Sequence, residues 1–191
     1  MQTGEIMGHQ FRFGIATLQD VPWEILLRRW RSSEELGFDS AWVADHFVNY
    51  SNPAGAWFDG WTLMAALASQ TSRIRIGIIS SMPLRNPVVL ARQALTLDHI
   101  SNGRLDLGIG AGAPGDIDPS YRMTGIENWS PPERVARFRE VVEILDQCLR
   151  NNATTYRGRY YQFEDATMAP QPIQKPRPPI TIGAMGPSML K

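Results

Sequence analysis

The sequence contains a single cysteine, Cys148, among its 191 residues, so it cannot form an internal disulfide. Free cysteine is often fully buried, and we expect an inert thiol in a reducing, cytoplasmic compartment. No apolar stretch approaches the roughly 20 residues of a membrane-spanning helix. The 19 basic residues balance the 19 acidic ones, so the charge gives no reason to expect a nucleic acid or an anionic membrane as partner.

Segments with the character of strands and helices alternate along the chain. The strand-like segments are short and apolar, and the helix-like segments repeat apolar residues every three or four positions. The strand-like segments are 11–17, 39–47, 73–81, 103–112 and 178–186, and the helix-like segments are 21–38, 57–72, 86–101 and 131–152. This alternation predicts a parallel sheet with outer helices, either an open doubly wound sheet or a (β/α)8 barrel. Segment 154–178 is assigned no strand or helix, and its Pro-rich end is predicted to cross the surface.

The segment LGIGAGAPGDID (107–118) contains Gly110, Gly112 and Gly115 in the spacing G-x-G-x-x-G. In a dinucleotide-binding fold this motif opens a helix, and an acidic residue follows about 20 positions later at the end of a second strand. Here the next segment is loop-like, and the acidic residues near that distance, Glu133 and Glu140, fall within a predicted helix. The motif therefore does not indicate a Rossmann nucleotide site.

The glycines at 108, 110 and 112 need another explanation. Residues two apart in a strand share one face, so Gly108, Gly110 and Gly112 are predicted to lie on the same side of the sheet. Missing side chains there would let a large planar ring or another backbone approach closely. Tight packing within the core is the alternative explanation.

His46 lies at the predicted end of the second strand, directly after Asp45. Chemistry is expected at the carboxyl ends of the strands in both candidate folds. A histidine has a pKa of about 6.5 and can accept or donate a proton at neutral pH, so His46 is a candidate acid–base group. The alternative is structural: Asp45 caps the next element and His46 packs against the rim.

Several stretches together resemble the luciferase-like monooxygenase superfamily, particularly its deazaflavin-dependent oxidoreductases. They are SEELGFDSAWVADHF (33–47), TSRIRIG (71–77), RNPVVLARQALTLDHISNGRLDLGIGAG (85–112) and YYQFEDATMAPQPIQKPRPPITIG (160–183). The resemblance implies a (β/α)8 TIM barrel that binds coenzyme F-420, or alternatively flavin mononucleotide (FMN), at the carboxyl ends of its strands. It also favours cofactor clearance as the role of the glycine strand.

The resemblance also implies roles for particular residues. His46 would lie beside the reactive ring carbon of the cofactor, with Asp45 orienting the histidine or a loop. The residues expected to contact the cofactor ring or phosphate are Ile79, Ser80, Gly110, Ala111, Gly112, Gly183, Ala184, Met185 and Gly186. The family often has a non-proline cis peptide bond that aligns near Ile79–Ser80. No metal site is expected.

Two residues depart from the pattern of the sugar-phosphate dehydrogenases in this family. Ala113 stands where they have a glutamate, and Tyr50 stands where they have a tryptophan. We therefore do not expect a glucose-6-phosphate-type activity. Asp116 and Asp118 could supply a carboxylate instead, although exposed loop aspartates are usually solvated.

The function we predict is hydride transfer between coenzyme F-420 and an organic small-molecule substrate. The first alternative is an FMN-dependent monooxygenase that uses molecular oxygen. The second is an inactive fragment, or a protein that only binds cofactor or serves in assembly. The sequence does not name the substrate.

The length of the chain limits how much of a barrel it can form. A complete barrel takes about 250 residues, with a lower limit near 200, and five strands leave two edges of unpaired backbone. We expect residues 1–191 to be a single domain forming the N-terminal part of an incomplete barrel. Either they belong to a longer polypeptide, or the chain covers its edges as a homo-oligomer, most simply a dimer.

Overall fold

The computed structural model describes residues 11–115 and 117–184. The strands are β1 (Gly14–Ala16), β2 (Ser40–Asp45), β3 (Arg75–Ser81), β4 (Leu105–Gly110), β5 (Ala153–Arg157), β6 (Gln162–Thr167) and β7 (Ile180–Gly183). The helices are α1 (Trp23–Glu35), α2 (Gly60–Ser69), α3 (Pro87–Ile100), α4 (Ser120–Thr124) and α5 (Pro131–Arg150), with a short 3₁₀ helix at Met82–Leu84. Among these residues, no helix is both long enough and apolar enough to cross a membrane.

Five strands form a parallel sheet in the order β1-β2-β3-β4-β7. The strands follow one another in chain order, without the reversal that defines the switch point of a doubly wound sheet. This order and the outer helices α1, α2, α3 and α5 confirm the prediction of an incomplete barrel. Among the described residues, β1 pairs only with β2 and β7 only with β4, so the sheet does not close.

One face of the sheet is covered by helices and forms the core. The strand register places alternate residues of β2, β3 and β4 on this face, and all of them are buried. They are Ala41, Val43, Asp45, Ile76, Ile78, Ser80, Leu105, Leu107 and Ile109. Their apolar members pack with buried side chains of α1, α2, α3 and α5 in a single cluster, which removes this face from water.

The opposite face mixes glycines and other small residues with larger side chains such as Trp42 and Ile79, and it is partly open. Ile79 is 40% exposed there although it lies in the middle of the sheet. The indole of Trp42 lies over Gly77, where any side chain would collide with it. In a closed barrel this face lines the interior, so its residues at the carboxyl ends of the strands border the expected site.

Segment 154–178 contains a regular element that we did not predict. Strands β5 and β6 form an antiparallel hairpin in which the rings of Tyr156 and Phe163 stack with their centroids 6.0 Å apart. The carboxylate of Glu140 on α5 accepts hydrogen bonds from the backbone N–H groups at residues 159–161, which fastens the hairpin turn to the helix. Short β-branched and aromatic runs on either side of Gly158 were the available signal.

Two local predictions were wrong. The first helix-like segment was predicted over 21–38, but α1 ends at Glu35, and Leu36 just after it is 77% exposed. Gly37 has a φ of 83° and turns the chain away there, and Ser33 takes the buried position one turn earlier. The loop-like segment after Gly115 contains the short helix α4, whose Ser120 and Tyr121 are buried.

Candidate active site

His46 is the first residue after β2, at the carboxyl edge of the sheet. Its backbone oxygen accepts a hydrogen bond from the indole Nε1 of Trp57 at 2.8 Å, which fixes the chain where the strand ends. The imidazole is half-buried, and its ring centroid lies 4.4 Å from that of Tyr50 at an interplanar angle of 51°. The predicted position of His46 at a strand end is confirmed.

Asp45 points to the helix-covered face and is 1% exposed. Its Oδ2 accepts hydrogen bonds from Ser80 Oγ at 2.6 Å, Arg85 Nε at 3.0 Å and Trp61 Nε1 at 3.1 Å. Its Oδ1 accepts a second bond from the Arg85 guanidinium at 2.6 Å. A buried carboxylate with all these partners is well satisfied, and the contacts join β2, β3 and α2 to the loop after β3.

This arrangement bears on the predicted role of Asp45. Among the described residues, none of its hydrogen bonds reaches His46, so any influence on the histidine acts through charge and backbone position. Arg85 also binds Asp59 at 2.8 Å, so its positive charge is shared between two carboxylates.

His46 is connected instead to Tyr50 and Asp118. The Tyr50 hydroxyl lies 2.6 Å from His46 Nδ1 and donates a hydrogen bond to Asp118 Oδ2 at 2.9 Å. Asp118 is only 2% exposed, and its Oδ1 accepts a bond from the backbone N–H of Ser120 at 2.8 Å. The expectation that Asp118 is a solvated loop residue is therefore wrong. Asp116, the other aspartate named with it, lies outside the described residues.

The sequence pointed only weakly to this triad. In the sequence, Tyr50 differs from the family pattern, and Asp118 is one of two loop carboxylates that could serve the site. They are 68 residues apart and meet only because the β4–α4 loop folds back over the end of β2. No local spacing could show that contact.

Burial and charge act in opposite directions on His46. Desolvation lowers the pKa of the imidazole below its ordinary value, and the negative charges of Asp118 and Asp45 oppose that effect without cancelling it. For Tyr50, burial raises the pKa and the hydrogen bond to Asp118 raises it further. Tyr50 therefore keeps its proton at neutral pH, and His46 is mostly neutral there.

The three glycines of the fourth strand do not share one environment. A Cβ at Gly108 would lie 2.8 Å from the Ile78 carbonyl oxygen, whereas at Gly110 the nearest atom, Ser80 O, would be 3.8 Å away. Strand β4 ends at Gly110, and Gly112 lies beyond it with a φ of 84°. The prediction of one shared strand face therefore fails at Gly112.

An open glycine surface remains at the edge of the sheet. Gly110 pairs with Gly183 across β4 and β7, and the side chain of Ile79 borders both. A Cβ at Gly183 would lie 3.3 Å from Ile79 Cγ2. This glycine platform, formed by Gly110, Gly183 and Ile79, is the part of the sheet edge that a flat ring could approach. Ala111 and Ala184 follow its two strands and are partly exposed.

Other members of the predicted cofactor set are placed differently. Ser80 is buried, and its hydroxyl donates to Asp45, so its side chain does not face the platform. The cis peptide bonds of the described residues are Ala169–Pro170 and Lys175–Pro176, so the non-proline cis bond expected near Ile79–Ser80 is not observed. Met185 and Gly186 lie outside the described residues.

A cavity of about 500 Å³ opens beside His46. Its lining combines apolar and aromatic side chains with the Asp45–Arg85–Asp59 ion pairs. The lining residues are Asp45, His46, Phe47, Val48, Gly55, Trp57, Asp59, Leu84, Arg85, Thr124 and Ile126. Within the two described ranges, no three His, Cys, Asp or Glu side chains come together as candidate metal ligands.

A parallel β/α architecture with a cavity at the carboxyl ends of its strands is typical of barrel enzymes. The chain belongs to the luciferase-like monooxygenase family, whose profile matches residues 7–191.

Individual relatives use two kinds of cofactor. The chain is 35% identical over 163 residues to an F-420-dependent glucose-6-phosphate dehydrogenase of Amycolatopsis mediterranei, covering 83% of this chain and 47% of that protein. It is 31% identical over 154 residues to the oxygenase component of a flavin-dependent trigonelline monooxygenase of Acinetobacter baylyi, covering 80% of this chain and 40% of that protein. The chain spans about half the length of the curated relatives it matches.

A solved structure of an F-420-dependent enzyme has a similar fold. An F-420-dependent secondary alcohol dehydrogenase in complex with an F-420–acetone adduct superposes with a TM-score of 0.81 at 26% identity. The match covers 93% of this chain and 53% of that one. The described sheet and helices therefore correspond to about half of that chain.

The buried carboxylate network predicts a large effect of Asp45→Asn on stability. The neutral amide leaves Arg85 without its buried partner and cannot accept all four bonds, so the free energy of unfolding should fall by about 3 kcal/mol. Urea denaturation of the full chain measures it. Asp59→Asn is the matched control, because Asp59 is half-exposed and asparagine can still cap α2. It should cost less than about 1 kcal/mol, and equal effects would contradict the assignment.

The glycine environments predict opposite outcomes for two alanine substitutions. At Gly112 the left-handed backbone costs any other residue about 1–2 kcal/mol, and a Cβ would also press on Pro83 and Tyr121. Gly112→Ala should therefore lower the melting temperature by several degrees. Gly110→Ala meets only ordinary contacts and should melt close to the unsubstituted chain; thermal denaturation followed by circular dichroism compares the two.

Proposed function

We propose that the chain forms the coenzyme-binding half of an oxidoreductase in which coenzyme F-420 and an organic substrate exchange a hydride and His46 handles the substrate's proton. The observation that carries the proposal is His46 itself. His46 is half-buried at a strand end, its ring is hydrogen-bonded to Tyr50, and it lines a cavity. The F-420-dependent relatives support the choice of cofactor.

The residues present fit a flat heterocycle. The platform of Gly110, Gly183 and Ile79 leaves room above two paired strands, and side chains at the two glycines would fill that room. Ile79 offers an exposed apolar surface against which a ring can pack. A ring seated there would lie at the same edge of the sheet as His46, since all the strands are parallel.

When bound, F-420 would supply an acceptor for two electrons and one proton, in the form of a hydride. The protein must then accept the hydroxyl proton of the alcohol while the carbinol carbon loses the hydride. His46 can do this because its imidazole is mostly neutral at pH 7 and one ring nitrogen then has a free lone pair. The apolar lining of the cavity would limit competing water.

The cavity favours a neutral substrate over a phosphorylated one. Arg85 is the one Lys or Arg among the lining residues described above, and Asp45 and Asp59 already neutralise it. A phosphate group would find no free cation there. We therefore propose a small neutral alcohol or ketone as substrate, which agrees with Ala113 replacing the glutamate of the sugar-phosphate enzymes.

One alternative has a specific observation in its favour. The match to the oxygenase component of a flavin-dependent monooxygenase allows FMN in place of F-420, with molecular oxygen as the second substrate. The two cofactors are similar flat tricyclic rings, so the same platform could accept either. A third outcome is a protein that binds neither.

Titration of the purified chain with F-420 and, separately, with FMN distinguishes these functions. We expect saturable quenching of cofactor fluorescence with F-420 and weaker binding of FMN. With F-420 bound, His46→Ala should lower the turnover of a neutral secondary alcohol by about 10²-fold or more, with little change in cofactor affinity. His99→Ala is the control, because His99 is exposed and bonds Gln171 on a different part of the surface. Unchanged turnover in His46→Ala would remove His46 from the mechanism.

The platform has a separate test. Gly110→Val would place a branched side chain where the ring is proposed to sit, whereas Gly110→Ala adds only a methyl group that meets ordinary van der Waals contacts. We expect F-420 affinity to fall strongly in the valine variant and much less in the alanine variant, with native far-ultraviolet circular dichroism in both. Full F-420 affinity in the valine variant would show that the ring lies elsewhere.

A further inference from the structure

We infer that Tyr50 and Asp118 are positioning residues that act through His46. The Asp118 carboxylate, by way of the Tyr50 hydroxyl, holds the imidazole with its proton on Nδ1, so that Nε2 is the atom that exchanges a proton with the substrate. The inference rests on the proposed function for the identity of the reaction. It does not depend on that function for the protonation state of the ring.

The Tyr50 hydroxyl can donate only one of the two hydrogen bonds it makes. The Tyr50 hydroxyl has one proton, and it lies between two neighbours, Asp118 Oδ2 at 2.9 Å and His46 Nδ1 at 2.6 Å. A carboxylate can only accept, so the hydroxyl proton goes to Asp118. The bond to His46 then requires Nδ1 to be the donor and the Tyr50 oxygen to be the acceptor. A neutral His46 with Nδ1–H has its lone pair on Nε2.

The chain of three groups is held at both ends. Asp118 cannot rotate freely, because its Oδ1 is bonded to the backbone N–H of Ser120 at the start of α4. Helix α4 is itself tied down by the Tyr121 hydroxyl, which donates to the Ala113 oxygen at 2.9 Å. A fixed carboxylate in a buried setting loses little entropy when it orients a histidine, and this is how other histidine bases are aligned.

The same arrangement assists the charged form of His46. Accepting a proton at Nε2 makes the ring a cation, and the negative charge of Asp118 stabilises that cation through Tyr50. The other ionisable groups near the ring are Asp45 on β2 and the Arg85–Asp59 pair that lines the same cavity. Asp45 and Asp59 both form ion pairs with Arg85. Of the three carboxylates near the ring, Asp118 is the one without an arginine partner among the described ion pairs.

The direct test is the tautomer of His46, measured by ¹⁵N NMR on the full chain without any cofactor. At a pH where the ring is neutral, we expect Nδ1 to be protonated and Nε2 to be unprotonated. In Tyr50→Phe that preference should be lost, giving a mixture of the two neutral tautomers. Tyr156→Phe is the matched control, since Tyr156 also donates to a carboxylate, that of Glu143 at 2.8 Å, in the β5–α5 region. A protonated Nε2 in the unsubstituted chain would overturn the inference.

A second measurement concerns the charge of Asp118. Asp118→Asn removes a negative charge that raises the pKa of His46, so that pKa should fall further below its ordinary value. Alcohol oxidation needs neutral His46, so the rise of turnover with pH should move to lower pH in this variant. Glu143→Gln is the control and should leave the pKa of His46 in place. An unchanged pKa in Asp118→Asn would show that the carboxylate does not act on the ring.

Kinetics complete the test if F-420 binds. Tyr50→Phe and Asp118→Asn should each lower kcat by about 10–100-fold, with little change in F-420 affinity, and the double variant should be little worse than either single one. Additive losses would mean that the two residues act separately. If F-420 does not bind but the NMR results hold, the proposed function fails while the positioning of His46 stands. If F-420 binds and the tautomer is unaffected by Tyr50→Phe, the positioning fails alone.

Discussion

The buried carboxylate of Asp45 is the interaction on which the arrangement of the site depends. It binds Ser80, Trp61 and Arg85 at once, so it joins the ends of β2 and β3 to α2 and to the loop after β3. Asp45 is the last residue of β2, and fixing it also fixes the direction in which the chain leaves the strand. His46 is the next residue, and it lines the same cavity as the carboxylate that holds the end of the strand.

The two faces of the sheet differ in the side chains they carry. The helix-covered face contains large apolar side chains, and its burial supplies most of the driving force for folding. The opposite face carries several small residues and the exposed Ile79, so part of it is open. Gly108 serves close packing between strands, whereas Gly110 leaves space at the edge. One glycine-rich strand therefore contains a tightly packed glycine followed by a less crowded one.

Much of the fold follows from local pattern. The alternation of apolar strands and amphipathic helices predicted five parallel strands and four outer helices, since each of these signals depends on residues close in sequence. The hairpin β5–β6 was missed because its strands are short and largely exposed. The helix α4 was missed because five residues carry too little periodicity to distinguish a helix from a loop.

The sequence by itself determined the class of architecture, the position of His46 at a strand end and the presence of a glycine-rich strand edge. The family relationship was also visible in motifs such as SEELGFDSAWVADHF (33–47). Only the tertiary structure decided which carboxylate serves which purpose. Asp45, the immediate neighbour of His46, turns to the opposite face because side chains alternate along a strand. Asp118, 72 residues away from His46, reaches the site through Tyr50 because the β4–α4 loop folds back over the end of β2.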